Sequence, residues 1–215
     1  MTYQEAIERF GSDKPDTRFG LELTDLTDVL QGSAFRVFAS TIAAGGAIRG
    51  LNAEQCGSLT RREIDQLVEK AEQWGAKGLI WMVVEEDKIR SPIAKFLTEA
   101  ELQAIRDRLQ GKPGDLLLLV ADTFQLASEV LGRIRLLLGE RLGLIDTGRC
   151  DLLWVVDWPL LEYDEESGRY VAAHHPFTSP MDEDLDLLET EPGHVRAKAY
   201  DLVMNGVELG GGSIR

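Results

Sequence analysis

Residues 195–215 read VRAKAYDLVMNGVELGGGSIR, and this stretch decides how the end of the chain folds. Asn205-Gly206 between two alternating runs is the strongest short-range hairpin signal, so 195–204 and the residues from 207 onward predict two antiparallel strands. With Asn205 and Gly206 as the turn, Met204 pairs with Val207, Val203 with Glu208, and Asp201 with Gly210. Side chains alternate across a strand, so Asp201, Val203, Glu208 and Gly210 share one face. Asp201 and Glu208 are then diagonal neighbours with Cβ atoms roughly 7–8 Å apart. Two like charges so placed repel unless a positive group sits between them. Mg²⁺, which takes one or two carboxylates plus substrate phosphates, fits that gap; a solvent-facing pair is the reading that spacing leaves open beside it. Gly210, Gly211 and Gly212 remove Cβ atoms where something approaches the backbone, as a flexible loop also would. Arg215 has the planar fork for clamping a carboxylate, with solvent as its ordinary alternative.

Upstream, Leu152–Val156 and Gly168–Val171 flank the acidic turn at 164–167 and predict an antiparallel pair. Residues 182–191 hold six acids and no base and read as a solvated, mobile loop. His174 and His175 are adjacent, so on an extended segment they face opposite ways and one of them at most lines a given pocket. No third ligand is near them in sequence, and zinc is not expected. His194 stands alone and is expected at the surface. At the start, residues 3–10 look helical and Gly11–Asp16 form a turn-rich loop.

The middle, about 33–128, alternates apolar runs with capped helices. Phe35–Phe38 and Ala47–Leu51 predict two short strands joined at Gly45-Gly46. Thr60 and Glu63 form a capping box, with Leu59 and Ile64 placed as its hydrophobic staple, and a helix follows to Gly75. Gly78–Val84 and Leu116–Val120 are interior strands. Thr98 and Glu101 open a further helix that ends at Gly111, and Asp122 with Gln125 cap a long one carrying Val130, Leu131, Ile134, Leu137 and Leu138. The fold class is α+β.

The chain has 215 residues, 44% hydrophobic and 28% charged, enough for a buried core. Asp+Glu 37 against Lys+Arg 23 gives a formal charge of −14, which repels phosphate backbones and argues against a stand-alone nucleic-acid binder. No apolar run is long enough for a membrane span and no signal peptide is evident, so a cytoplasmic protein without membrane partners is expected. Cys56 and Cys150 form no metal-binding or disulfide pattern.

The strings GSDKPDTRFGLEL (11–23), LLWVVDWPLLEYDEESGRYVAAHHPFTSP (152–180) and VRAKAYDLVMNGVELGGGSIR (195–215) resemble the bacterial-type aspartyl-tRNA synthetases. The middle, with LTRREIDQLVEKAEQWGAKGLIW, SPIAKFL and PGDLLLLVADT, resembles the GAD domain inserted in the catalytic core of that family. The resemblance implies class II catalytic-core segments at 1–32 and 129–215 around a GAD domain at 33–128. It also implies the activity, in which L-aspartate and ATP condense to aspartyl-adenylate and the aspartyl group passes to tRNA. Position by position, it implies that Asp201 and Glu208 hold Mg²⁺ on the ATP phosphates. Arg215 would pair with the side-chain carboxylate of aspartate, Gly210, Gly211 and Gly212 would line the floor, and His174 and His175 would belong to the segment closing over the amino acid. Members of the family are expected to be homodimers.

The anticodon-reading OB domain and class II motifs 1, 2 and 3 are not among these residues. The chain therefore reads as a fragment, expected neither to activate aspartate alone nor to hold tRNA strongly. A related GAD domain occurs in an amidotransferase B subunit, so a non-enzymatic binding module is the alternative that the flanking strings argue against.

Overall fold

A computed structural model describes residues 1–164 and 166–215. They divide into two compact units, one of residues 7–12 and 19–146 and a smaller one of residues 1–6, 13–18 and 147–215. The first helix, α1 (Tyr3–Phe10), contributes residues to both.

The larger unit is a five-stranded antiparallel sheet with helices on both faces. Its elements are β1 (Leu23–Asp25), α2 (Arg36–Ala43), β2 (Ala47–Ala53), α3 (Arg61–Gln73), β3 (Ile80–Val84), β4 (Ile89–Arg90), α4 (Glu99–Arg108), β5 (Leu116–Asp122) and α5 (Phe124–Arg141). The strand order is β1-β2-β5-β3-β4. Central β5 explains the unbroken apolar run of its sequence. Leu116, Leu118 and Val120 pack with Ile64, Leu67 and Ile134 on one side, while Leu117 and Leu119 pack with Phe38, Leu102 and Ile105 on the other. A strand covered on both faces has no side that needs polar residues.

The expected helix starts are present where side chains reach their own backbone. Thr60 with Glu63 and Thr98 with Glu101 both form complete capping boxes. Gly75, at φ +98°, closes α3, its amide donating to Glu72 O while the Ala76 amide donates to Ala71 O. The corresponding position after α4 is Gln110, at φ +53°, so that helix ends before Gly111, whose amide donates to Arg106 O. The cap of α5 is Thr123, which accepts from the Leu126 amide. Asp122 is instead the last residue of β5.

Phe35–Phe38, expected as a strand, opens helix α2. Phe35, Phe38 and Ile42 recur at helical spacing and pack on one core cluster, and four apolar residues are too few to distinguish the two periods. The expected hairpin at Gly45-Gly46 is therefore a helix-to-strand turn. The larger unit also reaches beyond 33–128 on both sides, because β1 pairs with β2 and α5 runs unbroken through 128.

In the smaller unit, β6 (Leu152–Pro159), β7 (Leu161–Asp164), β8 (Arg169–Ala172), β9 (Arg196–Met204) and β10 (Val207–Ser213) form two sheets. Three strands lie in the order β10-β9-β6, and β7 pairs with β8. The expected pairing of 152–156 with 168–171 is thus replaced. The long strand β6 has β9 as its partner, and the nearer segment 161–164 takes β8. Residue 165, in the expected acidic turn, lies outside the described residues. Val155, Trp158, Ala197 and Val203 make the core of this unit.

The acidic stretch, expected as a loop, takes regular structure over part of its length. Residues Asp182–Leu187 wind into 3₁₀ turns, and Asp184 is buried against Arg196 of β9. The guanidinium donates from Nε to Asp184 Oδ2 at 2.8 Å and from Nη2 to Oδ1 at 2.9 Å, and Lys198 Nζ meets Asp182 at 2.6 Å. The bases that answer these acids lie on β9, 12 and 16 residues further along the chain.

Candidate functional site

The hairpin turns where expected. Asn205 and Gly206 have φ of +53° and +82°, the signs a two-residue turn of this kind demands. Asn205 also accepts from the Asp151 amide at 2.9 Å and donates to Arg149 O at 3.1 Å, which fastens the turn to the chain entering β6.

Met204 pairs with Val207 and Val203 with Glu208, but the register then shifts. Leu202 faces Gly210, and Asp201 faces Gly211 rather than the expected Gly210. One extra residue on β10, a bulge at Leu209, causes the slip. Asp201 and Glu208 still line one pocket, because the bulge falls beyond Glu208. A Cβ at Gly211 would meet the Asp201 carboxylate, so the glycine lets that carboxylate lie against the strand.

The pocket has a volume of about 380 Å³ and brings together Asp201, Glu208, His174, His175, Gly211 and Gly212. Gly210 and Arg215 are not among its lining residues; Arg215 is exposed at the end of the chain. Both histidines reach it because residues 173–177 bend instead of running extended, which removes the opposition expected of neighbours on a strand. His174 stands edge-on to the Trp158 ring, 4.9 Å between centroids, and Trp158 donates to Val155 O at 3.1 Å. His175 accepts at Nδ1 from the Phe177 amide at 3.1 Å, which leaves its proton on Nε2 as a donor. His194 is exposed beside Glu191, as expected of a surface residue.

Lys14, Asp13, Trp158, Thr178, Ala199 and Ser213 complete the lining, and no local sequence signal marks any of them as functional. Lys14 Nζ lies 3.1 Å from Glu208 Oε2. The only local signal at Lys14 was a turn-forming string, which says nothing of what the lysine meets. The hydrogen bond to Glu208 raises the Lys14 ammonium above its ordinary range, and Asp13 adds to this. Burial, then the charge of Glu208, pushes the Asp201 carboxyl up, opposed by His174 and Lys14. Among the described residues no group of three or more His, Cys, Asp or Glu is placed to hold a metal ion unaided. Two carboxylates on one face suit a cation that brings other ligands with it, and a desolvated acid beside a second acid is the electrostatic condition that such a cation relieves.

A family model described as GAD domain matches residues 38–131. The chain is 58% identical over 215 residues to an aspartate–tRNA(Asp/Asn) ligase of Caldanaerobacter subterraneus subsp. tengcongensis. It is 57% identical to the ligase of that name in Moorella thermoacetica and 53% identical to an aspartate–tRNA ligase of Clostridium botulinum. In each case all of this chain is covered, and it spans 36% of the relative's length.

Proposed function

Because the chain carries a GAD domain and is similar from end to end to a segment of the bacterial aspartate–tRNA ligases, we propose that it supplies part of the aspartate-activation site of such an enzyme. The reaction joins the α-carboxylate of L-aspartate to the α-phosphorus of ATP with loss of pyrophosphate, and aspartate then passes to tRNA. The observation that carries this reading is the pairing of Asp201 and Glu208 on one face, beside both histidines and above Gly211.

The chemistry needs positioning and charge neutralisation rather than an enzyme nucleophile. Asp201 and Glu208 would hold Mg²⁺, which when bound supplies positive charge against the ATP phosphates. Lys14 fixes the Glu208 carboxylate from the side, so that its oxygens are oriented before the nucleotide arrives. Gly211 and Gly212 would line the floor beneath the amino acid and adenylate, the missing Cβ at Gly211 making room for the Asp201 carboxylate. His174 and His175 offer donors over that floor, and Arg215 is the candidate for bidentate capture of the aspartate side chain. The 1–32 and 129–215 segments are assigned to the class II core around the GAD domain, and the whole enzyme to a cytoplasmic homodimer.

In a full-length ligase, Glu208→Gln should lower aspartate-dependent ATP–pyrophosphate exchange by about a hundredfold, the scale of losing one preorganised charge contact. Undiminished exchange at ordinary Mg²⁺ concentrations would reject the metal-holding role.

A further inference from the structure

A cavity of about 610 Å³ lies in the larger unit at the end of β5 and shares no residue with the Asp201–Glu208 pocket. Its apolar wall includes Val37 of α2 and Leu79 and Ile80 where β3 begins, and Asp122 and Lys77 also line it. Asp122 is only 7% exposed. Its Oδ1 accepts from the Thr123 amide at 2.9 Å, whereas Oδ2 is buried and receives no hydrogen bond. The ammonium of Lys77 stands 3.3 Å from that oxygen, on a side chain 83% exposed.

A buried carboxylate oxygen without a hydrogen bond is costly. Here the Lys77 ammonium alone answers that oxygen, without a well-aligned hydrogen bond, and a better-aligned donor from outside the chain can replace it. We propose that this cavity binds a small zwitterion of about dipeptide size, with an ammonium and a carboxylate on an aliphatic body. The ligand ammonium donates to Asp122 Oδ2. Lys77, already largely in water, turns from Asp122 to the ligand carboxylate with little loss of burial, and the aliphatic side chains lie against Val37, Leu79 and Ile80. An anion alone would be repelled by Asp122, and a cation alone would strip Lys77 of its partner. Cavities of roughly this size hold molecules larger than a single amino acid.

The test is an amide-resolved NMR titration of the 215-residue chain with L-leucyl-L-alanine. Saturable shifts are expected at Lys77, Gly78, Asp122 and Thr123. N-acetylation of the peptide should weaken binding by about tenfold, the scale of one charge-assisted hydrogen bond. Asp122→Asn should do the same. Should Asp122→Asn disturb the end of β5, the acetylated peptide on the unaltered chain still decides the matter, and Lys77→Gln should weaken binding severalfold. Absence of saturable shifts at these amides, or equal affinity for the free and acetylated peptides, overturns the proposal.

Discussion

Asp201 is held where ionisation is costly, half-buried and facing the charge of Glu208. Its carboxyl is raised above the ordinary range, so the folded state binds this proton more tightly than the unfolded chain does. The folded state is therefore favoured at low pH and loses that advantage as pH rises through the raised value. Asp201→Asn, which cannot ionise, should melt higher than the parent at pH 7, with the gap closing as pH falls below the ordinary aspartate range. Thermal melts across pH check this; a lower melting temperature for the variant at pH 7 would show that the ionised carboxylate is stabilising after all. Strand alternation alone placed Asp201 and Glu208 on one face. The bulge at Leu209 was not legible, because no local signal in Glu-Leu-Gly-Gly-Gly marks which residue is left over, and it changed the partner of Asp201 from Gly210 to Gly211.

At the scale of elements, the clearest case is the 3₁₀ segment Asp182–Leu187. The Arg196 guanidinium, by hydrogen bonds first, lowers the Asp184 carboxyl to about 2. The sign is opposite to that of Asp201. A depressed carboxylate contributes stability that is fully present above its unfolded value near 3.8 and is lost as pH falls through about 2. Asp184→Asn should release this segment first. Amide exchange at 182–194 should quicken at neutral pH while β9 and β10 keep their protection; protection retained at 182–194 would mean that other contacts hold the turns. The sequence showed the acids but not the two bases across from them on β9, since charge windows see neighbours in sequence only. Capping boxes at Thr60 and Thr98 were legible because donor and acceptor lie three residues apart. The run Phe35–Phe38 suits a strand as well as a helix in sequence, and what Phe38 packs on decides for the helix.

At the scale of the whole molecule, each unit depends on contacts between distant segments. In the larger unit Arg135, 1% exposed on α5, donates from Nη2 to Phe19 O at 2.7 Å and from Nε to Gly20 O at 3.0 Å. Its guanidinium also lies 3.9 Å from the centre of the Phe19 ring. Gly132 and Gly139 on the same helix leave room for Gly11 and Phe19 to approach. Arg135→Met should destabilise this unit by about 3 kcal/mol, because two carbonyls lose charged donors in a dry setting. Denaturant melts followed at Trp81 measure it, and a loss under about 1 kcal/mol would place those carbonyls within reach of water.

The sequence by itself determined the α+β class, the faces of the strands, most helix ends and the hairpin at Asn205-Gly206. Those features rest on periodicity and on hydrogen bonds spanning a few residues. Tertiary structure alone decided that Lys14 meets Glu208, that His174 and His175 share a pocket, and that Arg196 gathers the acidic turns. Such pairings are set by which surfaces bury one another when the chain packs, and nothing in the spacing of residues along the chain encodes the distance between segments that are far apart in it.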